Sequence, residues 1–383
     1  MRRADPIGSE YPVLCAPHLV QPQMRRGHAR NTVWLGKGST FMKAAVLTDW
    51  KHLEIKEIGL PVLQDGEALL KVIYAGICGS DITVYKGDHP TAKVPVVPCH
   101  EIIGTIEEIR CGTPTAFSIG QRVTVEPLIS CGECEPCRNG CEHVCNSLQL
   151  LGIHQNGGFA QYVKVSVKKL VALPEGLPDR VAALAEPFAV AYHVNHRSGI
   201  RAGDAALVIG GGPIGITVAI AARHFGARRV IISEINEKRL ALAESLGLET
   251  VNPMKTDLNQ LKSEVTGGNG FDVVFESSGS KQGLLMLPDM CKTRGTMISL
   301  SLSGTPVEFA MGKVSFREMT IVGSRVYSFD HFCRAVPMLE KLAQEYPLEN
   351  LATDVLPLNE VQKGYDMMLD GTNAGKVLIS CNS

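Results

Sequence analysis

The chain has 383 residues, a length that corresponds to two or three domains. Hydrophobic residues make up 45% of it and charged residues 20%, which is a globular balance that excludes wholesale disorder and a long coiled coil. No apolar run reaches about 18 residues without a charge, so we expect no transmembrane helix and no membrane partner. A formal net charge of −1 argues against nucleic acid as a partner.

The first 41 residues differ in composition from the rest of the chain. They contain six Lys or Arg but only two acidic residues, and they lack the long apolar core of a secretory signal. An organelle transit segment, an upstream start codon and a cloning tail all fit this stretch. We predict that residues 1–41 form an extension that is disordered or artefactual, and that Met42 opens the first strand.

The chain contains twelve cysteines, and eight of them fall between Cys78 and Cys145. Such clustering in a large chain without a secretory signal favours metal binding over disulfides. It also favours a cytoplasmic location.

From residue 42 to about 175 the sequence shows short β-type runs separated by Gly and Pro. The clearest runs are 68–74, 102–106, 122–125 and 159–165. This alternation predicts a barrel-like antiparallel domain.

From about residue 204 apolar strands alternate with helices. The predicted strands are 205–209, 229–233, 271–275 and 296–300, and the predicted helices are 213–225 and 237–246. A βαβ series of this kind predicts a doubly wound parallel sheet.

A glycine motif, G-x-G-x-x-G, follows the first of these strands and opens the first helix. In it Gly210 makes a tight turn, Gly212 lets the backbone approach a pyrophosphate and Gly215 allows close packing of helix on strand. Pro213 suits a first helical turn, and Ile214 lies within the motif. The motif predicts a bound dinucleotide, the alternative being a glycine-rich turn in an empty Rossmann-like domain.

Glu234 ends the next strand of the series. A carboxylate at this place accepts hydrogen bonds from ribose hydroxyls and repels a 2′-phosphate, so NAD is favoured over NADP. Arg239 follows in the next helix and is a further candidate for cofactor binding. Together with Lys238 it either softens the choice of cofactor or belongs to a solvated helix face.

Four cysteines with short spacings lie in segment 131–145: Cys131, Cys134, Cys137 and Cys145. Four thiolates close a tetrahedral shell around zinc and leave no position for a substrate, so we predict a structural zinc. An iron–sulfur cluster and free thiols are the alternatives. Cys141 has no assigned role, and the lobe should be the least stable part of its domain without the metal.

A second set of metal-ligand types is more dispersed. Cys78, His100 and Glu101 supply sulfur, nitrogen and oxygen donors, and Glu186 at the domain junction is a fourth candidate. Three ligands with one open position are what zinc needs to act as a Lewis acid. The alternative is a hydrogen-bonded core histidine beside a buried thiol.

Together these residues resemble the zinc-containing medium-chain dehydrogenase/reductase family, and most closely its sorbitol and threonine dehydrogenase branch. The resemblance covers about residues 42–383. Its markers are segment 76–81, His100-Glu101, the four-cysteine lobe, segment 157–163, Glu186-Pro187 and the glycine motif.

The resemblance implies a GroES-like β-barrel catalytic domain, 42–190 with 331–383, and an NAD-binding Rossmann domain, 191–330. It implies two zinc ions per chain, one catalytic and one structural, with Glu186 as an alternating or water-bridged ligand. It also implies a homodimer or a homotetramer.

In the family, the residue that Ser80 matches hydrogen-bonds the substrate oxygen and starts the exit of its proton; the alternative is that Ser80 caps a turn. Two positions depart from the family pattern: Cys99 stands where Gly is usual, and Thr83 where His is common. Without the usual His, the proton relay would run through water or Thr83.

The substrate residues are less well marked. Arg325 and Tyr327 are the candidates. Arg325 faces either a carboxylate or several hydroxyls, or it makes an interdomain or NAD-phosphate contact.

We predict an NAD- and zinc-dependent dehydrogenase acting on a secondary alcohol of a polyol, sugar or sugar acid. The alternatives are an L-threonine 3-dehydrogenase or diol dehydrogenase, although Glu186 replaces the Asp of the threonine enzymes, and a non-catalytic NAD- and zinc-binding redox sensor.

Overall fold

The computed structural model describes residues 40–301 and 306–382. The predicted extension lies outside these residues except for its last two. Up to the middle of the chain the elements are β1 (Phe41–Asp49), β2 (His52–Gly59), β3 (Glu67–Gly76), α1 (Gly79–Lys86), β4 (Glu101–Arg110), β5 (Arg122–Val125), β6 (Leu128–Ile129), α2 (Glu135–Arg138), β7 (Gln149–Leu150), β8 (Tyr162–Ser166), β9 (Leu170–Ala172), α3 (Asp179–Ala182) and α4 (Ala185–Ser198).

The second half alternates strands and helices before it returns to mixed structure. Its elements are β10 (Ala205–Ile209), α5 (Pro213–His224), β11 (Arg229–Ser233), α6 (Glu237–Ser245), β12 (Glu249–Val251), α7 (Leu258–Thr266), β13 (Phe271–Glu276), α8 (Lys281–Met290), β14 (Cys291–Ser299), α9 (Met311–Phe316), β15 (Thr320–Gly323), α10 (Phe329–Glu345), β16 (Asp354–Pro357), α11 (Val361–Leu369) and β17 (Val377–Ser380). Single 3₁₀ turns cover Glu142–Val144, Val167–Lys169, Leu348–Leu351 and Leu358–Glu360.

The first sheet is largely antiparallel and has the strand order β16-β17-β3-β4-β5-β9, with β8 also pairing with β3. The last strand, β17, pairs antiparallel with β3, so the end of the chain returns to the amino-terminal sheet. Its core includes Leu70, Val72, Ile106 and Val123, all of them fully buried.

The second sheet is parallel, with the strand order β12-β11-β10-β13-β14-β15. All five residues of its central strand β10 are buried, as expected for a parallel strand covered on both faces by helices. The predicted combination of a β-barrel-type domain and a doubly wound parallel sheet is confirmed.

The predicted domain limits remain predictions. Residue 190 lies within α4 and residue 331 within α10, so each limit falls inside a helix. The predicted strand 159–165 begins later, at Tyr162. The reason is that the chain before it crosses to β1, where the Phe159 carbonyl accepts from the Ala45 amide at 2.8 Å.

Candidate active site

The register of two neighbouring strands brings the mixed-donor residues together. Cys78 follows the end of β3, His100 and Glu101 stand at the start of β4, and Gly76 pairs directly with Glu101. One ligand atom from each of Cys78, His100 and Glu101 lies within 4.8 Å of the other two, and His100 and Glu101 are buried. A Cβ on Gly76 would crowd the carboxylate of Glu101, which would then have to move.

Asp81 lies next to these three residues and binds the backbone beside two of them. Its carboxylate accepts the amide of Cys78 at 2.8 Å and the amide of Cys99 at 3.2 Å, and Asp81 Oδ1 lies 3.8 Å from His100 Nδ1. His100 Nδ1 has no hydrogen-bond partner in the described structure, so Asp81 acts on the imidazole through its negative charge.

Lys376 also belongs to the site. Its ammonium group is buried and contacts Glu101 Oε1, while Glu101 Oε2 has no hydrogen-bond partner among the described residues. Burial alone would lower the pKa of Lys376, but the charges of Glu101 and Cys78 outweigh it and raise the pKa. One oxygen of the Glu101 carboxylate is therefore held by Lys376, and the other remains available to a cation.

Glu186 lies beside this group rather than within it, in the first turn of α4. Its Oε1 accepts the hydroxyl of the fully buried Tyr327 at 2.7 Å. Burial, reinforced by Glu101, raises the pKa of Glu186 to about 7 against the opposing effects of His100 and Tyr327. Tyr327, predicted as a substrate residue, thus contacts a candidate metal ligand.

The local departures from the family pattern have clear positions. Cys99 is fully buried with a left-handed φ of 84°, and its Sγ lies 3.4 Å from the Gly76 carbonyl oxygen. A Cβ on Gly157 would lie 1.9 Å from the Cys99 carbonyl oxygen, which explains the glycine in segment 157–163.

Ser80 Oγ is buried with no partner in the described part of the chain, whereas Thr83 is exposed and its hydroxyl donates to the Gly79 carbonyl at 3.3 Å.

These observations fit a divalent ion such as zinc. Soft sulfur, imidazole and carboxylate donors converge, and Glu101 Oε2 and Ser80 Oγ have no other use in the described structure. Burial would lower the pKa of His100, yet Cys78, Asp81 and Glu186 raise it well above its ordinary value. These neighbours favour a positive charge at this position, which a bound cation would supply.

The four cysteines of the lobe also converge. Their sulfur atoms all lie within 4.8 Å of one another, with Sγ–Sγ distances of 3.4 to 4.0 Å between neighbours. A tetrahedral zinc with bonds of about 2.3 Å sets sulfurs roughly 3.8 Å apart. The Cys131 amide donates to Cys145 Sγ and lowers the pKa of Cys145 to about 6, which favours the thiolate. Cys141 is exposed and lies outside this set.

The glycine motif forms the turn between β10 and α5. Gly210 has a φ of 102°, and a Cβ on Gly215 would lie 1.9 Å from the Gly210 carbonyl oxygen. Gly212, by contrast, has open space where its Cβ would be, and Pro213 and Ile214 begin the helix behind it. The backbone at Gly212 is therefore accessible to a phosphate group.

Glu234 is anchored to the same turn. Its Oε2 accepts the Gly211 amide at 2.7 Å, and its Oε1 accepts the amides of Ile235 and Asn236, each at 2.8 Å. Arg239 is half-buried in the first turn of α6, and its Nε has no partner in the described structure. Arg325 is exposed in the segment that follows β15.

Comparison with known proteins agrees with this architecture. Residues 64–175 match the alcohol dehydrogenase GroES-like domain, and residues 213–341 match the zinc-binding dehydrogenase domain. The 2-dehydro-3-deoxy-L-galactonate 5-dehydrogenase of Pseudoalteromonas atlantica is 35% identical over 322 residues, which cover 84% of this chain and 93% of that protein. The L-threonine 3-dehydrogenase of Chelativorans sp. is 33% identical over 346 residues, 89% of this chain and 99% of that protein.

The chain belongs to the zinc-containing alcohol dehydrogenase family. A solved zinc-binding dehydrogenase of Sinorhizobium meliloti bound to NADP has a TM-score of 0.81 and 30% identity, over 89% of this chain and all of that one. The predicted family and the predicted dehydrogenase activity are confirmed, and zinc and a nicotinamide dinucleotide are the cofactors of such enzymes. Within the described residues of the dehydrogenase, no helix combines the length and apolar character needed to cross a bilayer.

Sequence patterns did not single out two residues of this dehydrogenase site. Asp81 appears only as part of a motif, although an acidic residue three positions after a helix cap is itself a signal of a reciprocal cap. Lys376 appears only as the residue before the last strand, and no local pattern links it to Glu101, which is 275 positions away.

Proposed function

We propose that this dehydrogenase oxidises a secondary alcohol of a polyol, sugar or sugar acid, with zinc held by Cys78, His100 and Glu101 and with NAD as hydride acceptor. The observation that carries the proposal is the convergence of three different donor atoms within 4.8 Å, beside the unpartnered Ser80 hydroxyl. When bound, zinc supplies a Lewis acid that lowers the pKa of a substrate hydroxyl, and NAD supplies the electron acceptor.

The protein's own residues position the substrate and move its proton. Ser80 Oγ is the free hydroxyl of the site, so it accepts a hydrogen bond from the reacting hydroxyl and takes the first step of proton exit. Asp81 holds the backbone of Cys78 and Cys99 beside the metal site and places a negative charge 3.8 Å from His100 Nδ1. Lys376 restricts Glu101 to one available oxygen, and Glu186 supplies a second carboxylate next to the metal site.

For the lobe we propose a second, structural zinc bound by Cys131, Cys134, Cys137 and Cys145. The four sulfurs leave no open coordination position, so this ion takes no part in the reaction. Metal analysis of the purified protein should give two zinc ions per chain.

NAD is the cofactor that Glu234 favours. Its carboxylate is fixed by three backbone amides next to the pyrophosphate turn, where a 2′-phosphate would meet like charge. Arg239 lies one turn away and is proposed to contact the adenosine half of NAD. The Sinorhizobium protein was solved with NADP, so both cofactors should be compared. If NADP is used at an equal rate, this assignment is wrong.

The relatives support the substrate class. Glu186, which stands where the threonine enzymes have Asp, favours a sugar or polyol over threonine. The relative from Pseudoalteromonas acts on a sugar acid, and the one from Chelativorans acts on threonine. L-threonine is therefore the second candidate substrate. A diol, which also carries a secondary hydroxyl, is a further alternative. Within the described part of the chain β15 is an edge strand, which supports a homodimer or a homotetramer.

The test is a screen of polyols, sugar acids, diols and L-threonine as substrates. Reduction of NAD is measured by the absorbance of NADH. Turnover by the wild type that disappears in Cys78→Ser supports the proposal. Absence of turnover on every alcohol would favour the redox-sensor alternative, which requires reversible oxidation at Cys99. That thiol is fully buried and burial raises its pKa well above the ordinary range, so it is poorly suited to the sensor role.

A further inference from the structure

Four histidine rings form a cluster where α4 packs against α10. His193 and His196 stand on α4, His331 lies in the first turn of α10, and His143 belongs to the 3₁₀ turn of the four-cysteine lobe. In the order His143, His193, His331, His196, the centroids of neighbouring rings are 4.6 to 5.0 Å apart. Neither of the two proposed zinc sites includes any of these rings.

The two central rings face each other through nitrogen atoms. His193 Nδ1 lies 2.7 Å from His331 Nδ1, which is too close for two bare lone pairs. Either one ring donates a proton to the other, or both nitrogens bind the same cation. A hydrogen bond would leave a bare Nε2 on the donor ring, and no group in the described structure donates to either Nε2.

His193 is the more deeply placed of the two rings. Only 3% of the residue is exposed, and its Nε2 is buried with no partner among the described residues. A buried polar atom without a partner calls for an explanation outside the protein chain, such as water or an ion. Because no neighbour fixes the tautomer of His193, its proton can lie on Nε2, and the lone pair of Nδ1 is then available to a metal.

Both central rings are neutral at pH 7. Burial, followed by His331 and His143, lowers the pKa of His193 to about 3, and burial followed by His196 lowers the pKa of His331 to about 4. Neutral imidazole is the form that binds metal ions, so neither ring has to lose a proton first.

The separation of the two nitrogens also fits an ion. With metal–nitrogen bonds of about 2.0 Å, ligands at right angles stand about 2.8 Å apart, and ligands at the tetrahedral angle stand about 3.3 Å apart. The observed 2.7 Å is close to the right-angle value. This geometry suits Ni²⁺ or Cu²⁺ better than tetrahedral Zn²⁺.

We propose that His193 Nδ1 and His331 Nδ1 bind a divalent transition-metal ion of the nickel and copper type, with His196 as the third ligand. His196 is exposed and follows His193 by three residues on the same face of α4, so its ring can turn towards the ion. The site does not depend on the proposed function, because His193 stands about 10 Å along α4 from Glu186.

The probe is Ni²⁺, which does not oxidise the thiols of the chain. The full-length enzyme without an affinity tag is loaded with zinc, dialysed free of unbound metal and titrated with NiCl₂ by calorimetry. Nickel and zinc per chain are then measured after equilibrium dialysis. We expect one nickel ion per chain, an unchanged zinc content, and a rise in Tm of about 3 °C or more at a hundredfold excess over Kd.

Three variants assign the ligands. His193→Asn and His331→Asn should each weaken nickel binding more than about tenfold, since loss of even an outer partner of a metal ligand typically costs about 10–100-fold in affinity. His196→Asn should weaken it about threefold or more, a smaller factor because an exposed ring loses rotamer freedom when it binds. His52→Asn removes an exposed imidazole on β2 and is the control, with unchanged nickel binding.

The fold of the variants is checked by circular dichroism and by zinc content. If the buried position makes His193→Asn unfold, His331→Asn at its half-buried position decides the result. One retained nickel ion that His331→Asn loses supports the site. No nickel on the wild type, nickel gained in proportion to zinc lost, or equal affinity in wild type and His331→Asn overturns it, and equal affinity in His196→Asn overturns the third ligand. None of these measurements requires turnover of an alcohol, so this site and the proposed function fail or stand separately.

Discussion

At the level of single residues, the hydrogen bond between Tyr327 and Glu186 gives the most direct test of the site. Both groups are buried, and Tyr327 provides the one hydroxyl donor to the Glu186 carboxylate found in the described structure. Without that donor, a carboxylate next to the metal centre keeps its burial but loses a hydrogen bond worth about 1.5–3 kcal/mol.

Tyr327→Phe should therefore weaken the mixed-donor metal centre. Loss of an outer hydrogen bond to a metal site typically lowers metal affinity or activity by about 10–100-fold. The measurement is the rate of zinc loss to a chelator together with kcat on the best substrate. Tyr365→Phe is the matched control, because the Tyr365 hydroxyl is equally buried and has no partner in the described residues. Equal zinc loss in the two variants would contradict the role given to Tyr327.

The residues of the site differ in how far the sequence could predict them. Cys78, His100, Glu101 and the four lobe cysteines belong to short motifs whose spacing and residue types carry the chemistry. Lys376 carries no such signal, since its contact with Glu101 depends on the pairing of β17 with β3. The role of Tyr327 is likewise set by tertiary packing, because Glu186 is 141 positions away.

At the level of elements, α4 and α10 bring two histidines together, the buried His193 and the half-buried His331. His193 Nδ1 and His331 Nδ1 lie 2.7 Å apart, with the rings of His143 and His196 beside them. Burial, followed by His331 and His143, lowers the pKa of His193 to about 3. Burial and His196 lower that of His331 to about 4, with Asp330 opposing and Arg334 adding to the shift.

This pair predicts a loss of stability in acid. Both folded-state pKa values lie below the ordinary 6.5, so their contribution is fully present above pH 6.5 and is lost as the pH falls towards 4. Each titrating group then removes about 1.4 kcal/mol of unfolding free energy per pH unit. His331→Asn keeps a polar atom near Nδ1 but does not titrate, so between pH 6.5 and 5 it should lose about 2 kcal/mol less than the wild type. Urea unfolding at the two pH values measures this; parallel losses in both proteins would refute the assignment.

The four-cysteine lobe is the element that should depend most on the proposed structural zinc. It contains one short helix, α2, and one 3₁₀ turn, and of the residues in these two elements only Cys137 is buried. Cys145→Ser should therefore retain one zinc per chain and show faster amide hydrogen exchange in residues 131–145, with β10 still protected. Cys141→Ser, outside the sulfur cluster, should keep both ions and normal exchange. Unchanged exchange in Cys145→Ser would mean that the lobe folds without zinc.

The elements also show where sequence patterns lose information. The strands 122–125, 205–209 and 229–233 have the predicted bounds, because apolar β-branched runs flanked by turn residues mark them clearly. The helices α8 and α10 contain Pro288 and Pro337, residues that normally interrupt a helical pattern. Their tertiary contacts outweigh that local preference, which no reading of the local pattern reveals.

For the whole molecule, the exposed edge of the parallel sheet is where we propose that copies of the chain associate. Among the described residues β15 pairs with β14 alone, and Ile321 on it is 45% exposed. An exposed edge strand with apolar side chains is a template for pairing with another strand, and a twofold axis there would join two sheets into one.

Ile321→Asp should therefore break the assembly by placing a desolvated charge in the shared edge. Light scattering after size-exclusion chromatography should show a wild-type dimer or tetramer, and the variant one step lower, a monomer or a dimer. Val62→Asp, at a position that is 79% exposed in the segment between β2 and β3, is the matched control and should leave the assembly unchanged. A wild type that is monomeric at every concentration, or a variant with wild-type mass, would show that the β15 edge is not the interface. Because the candidate metal ligands and the dinucleotide turn all come from one subunit, the variant should keep its activity per chain even when the assembly is lost.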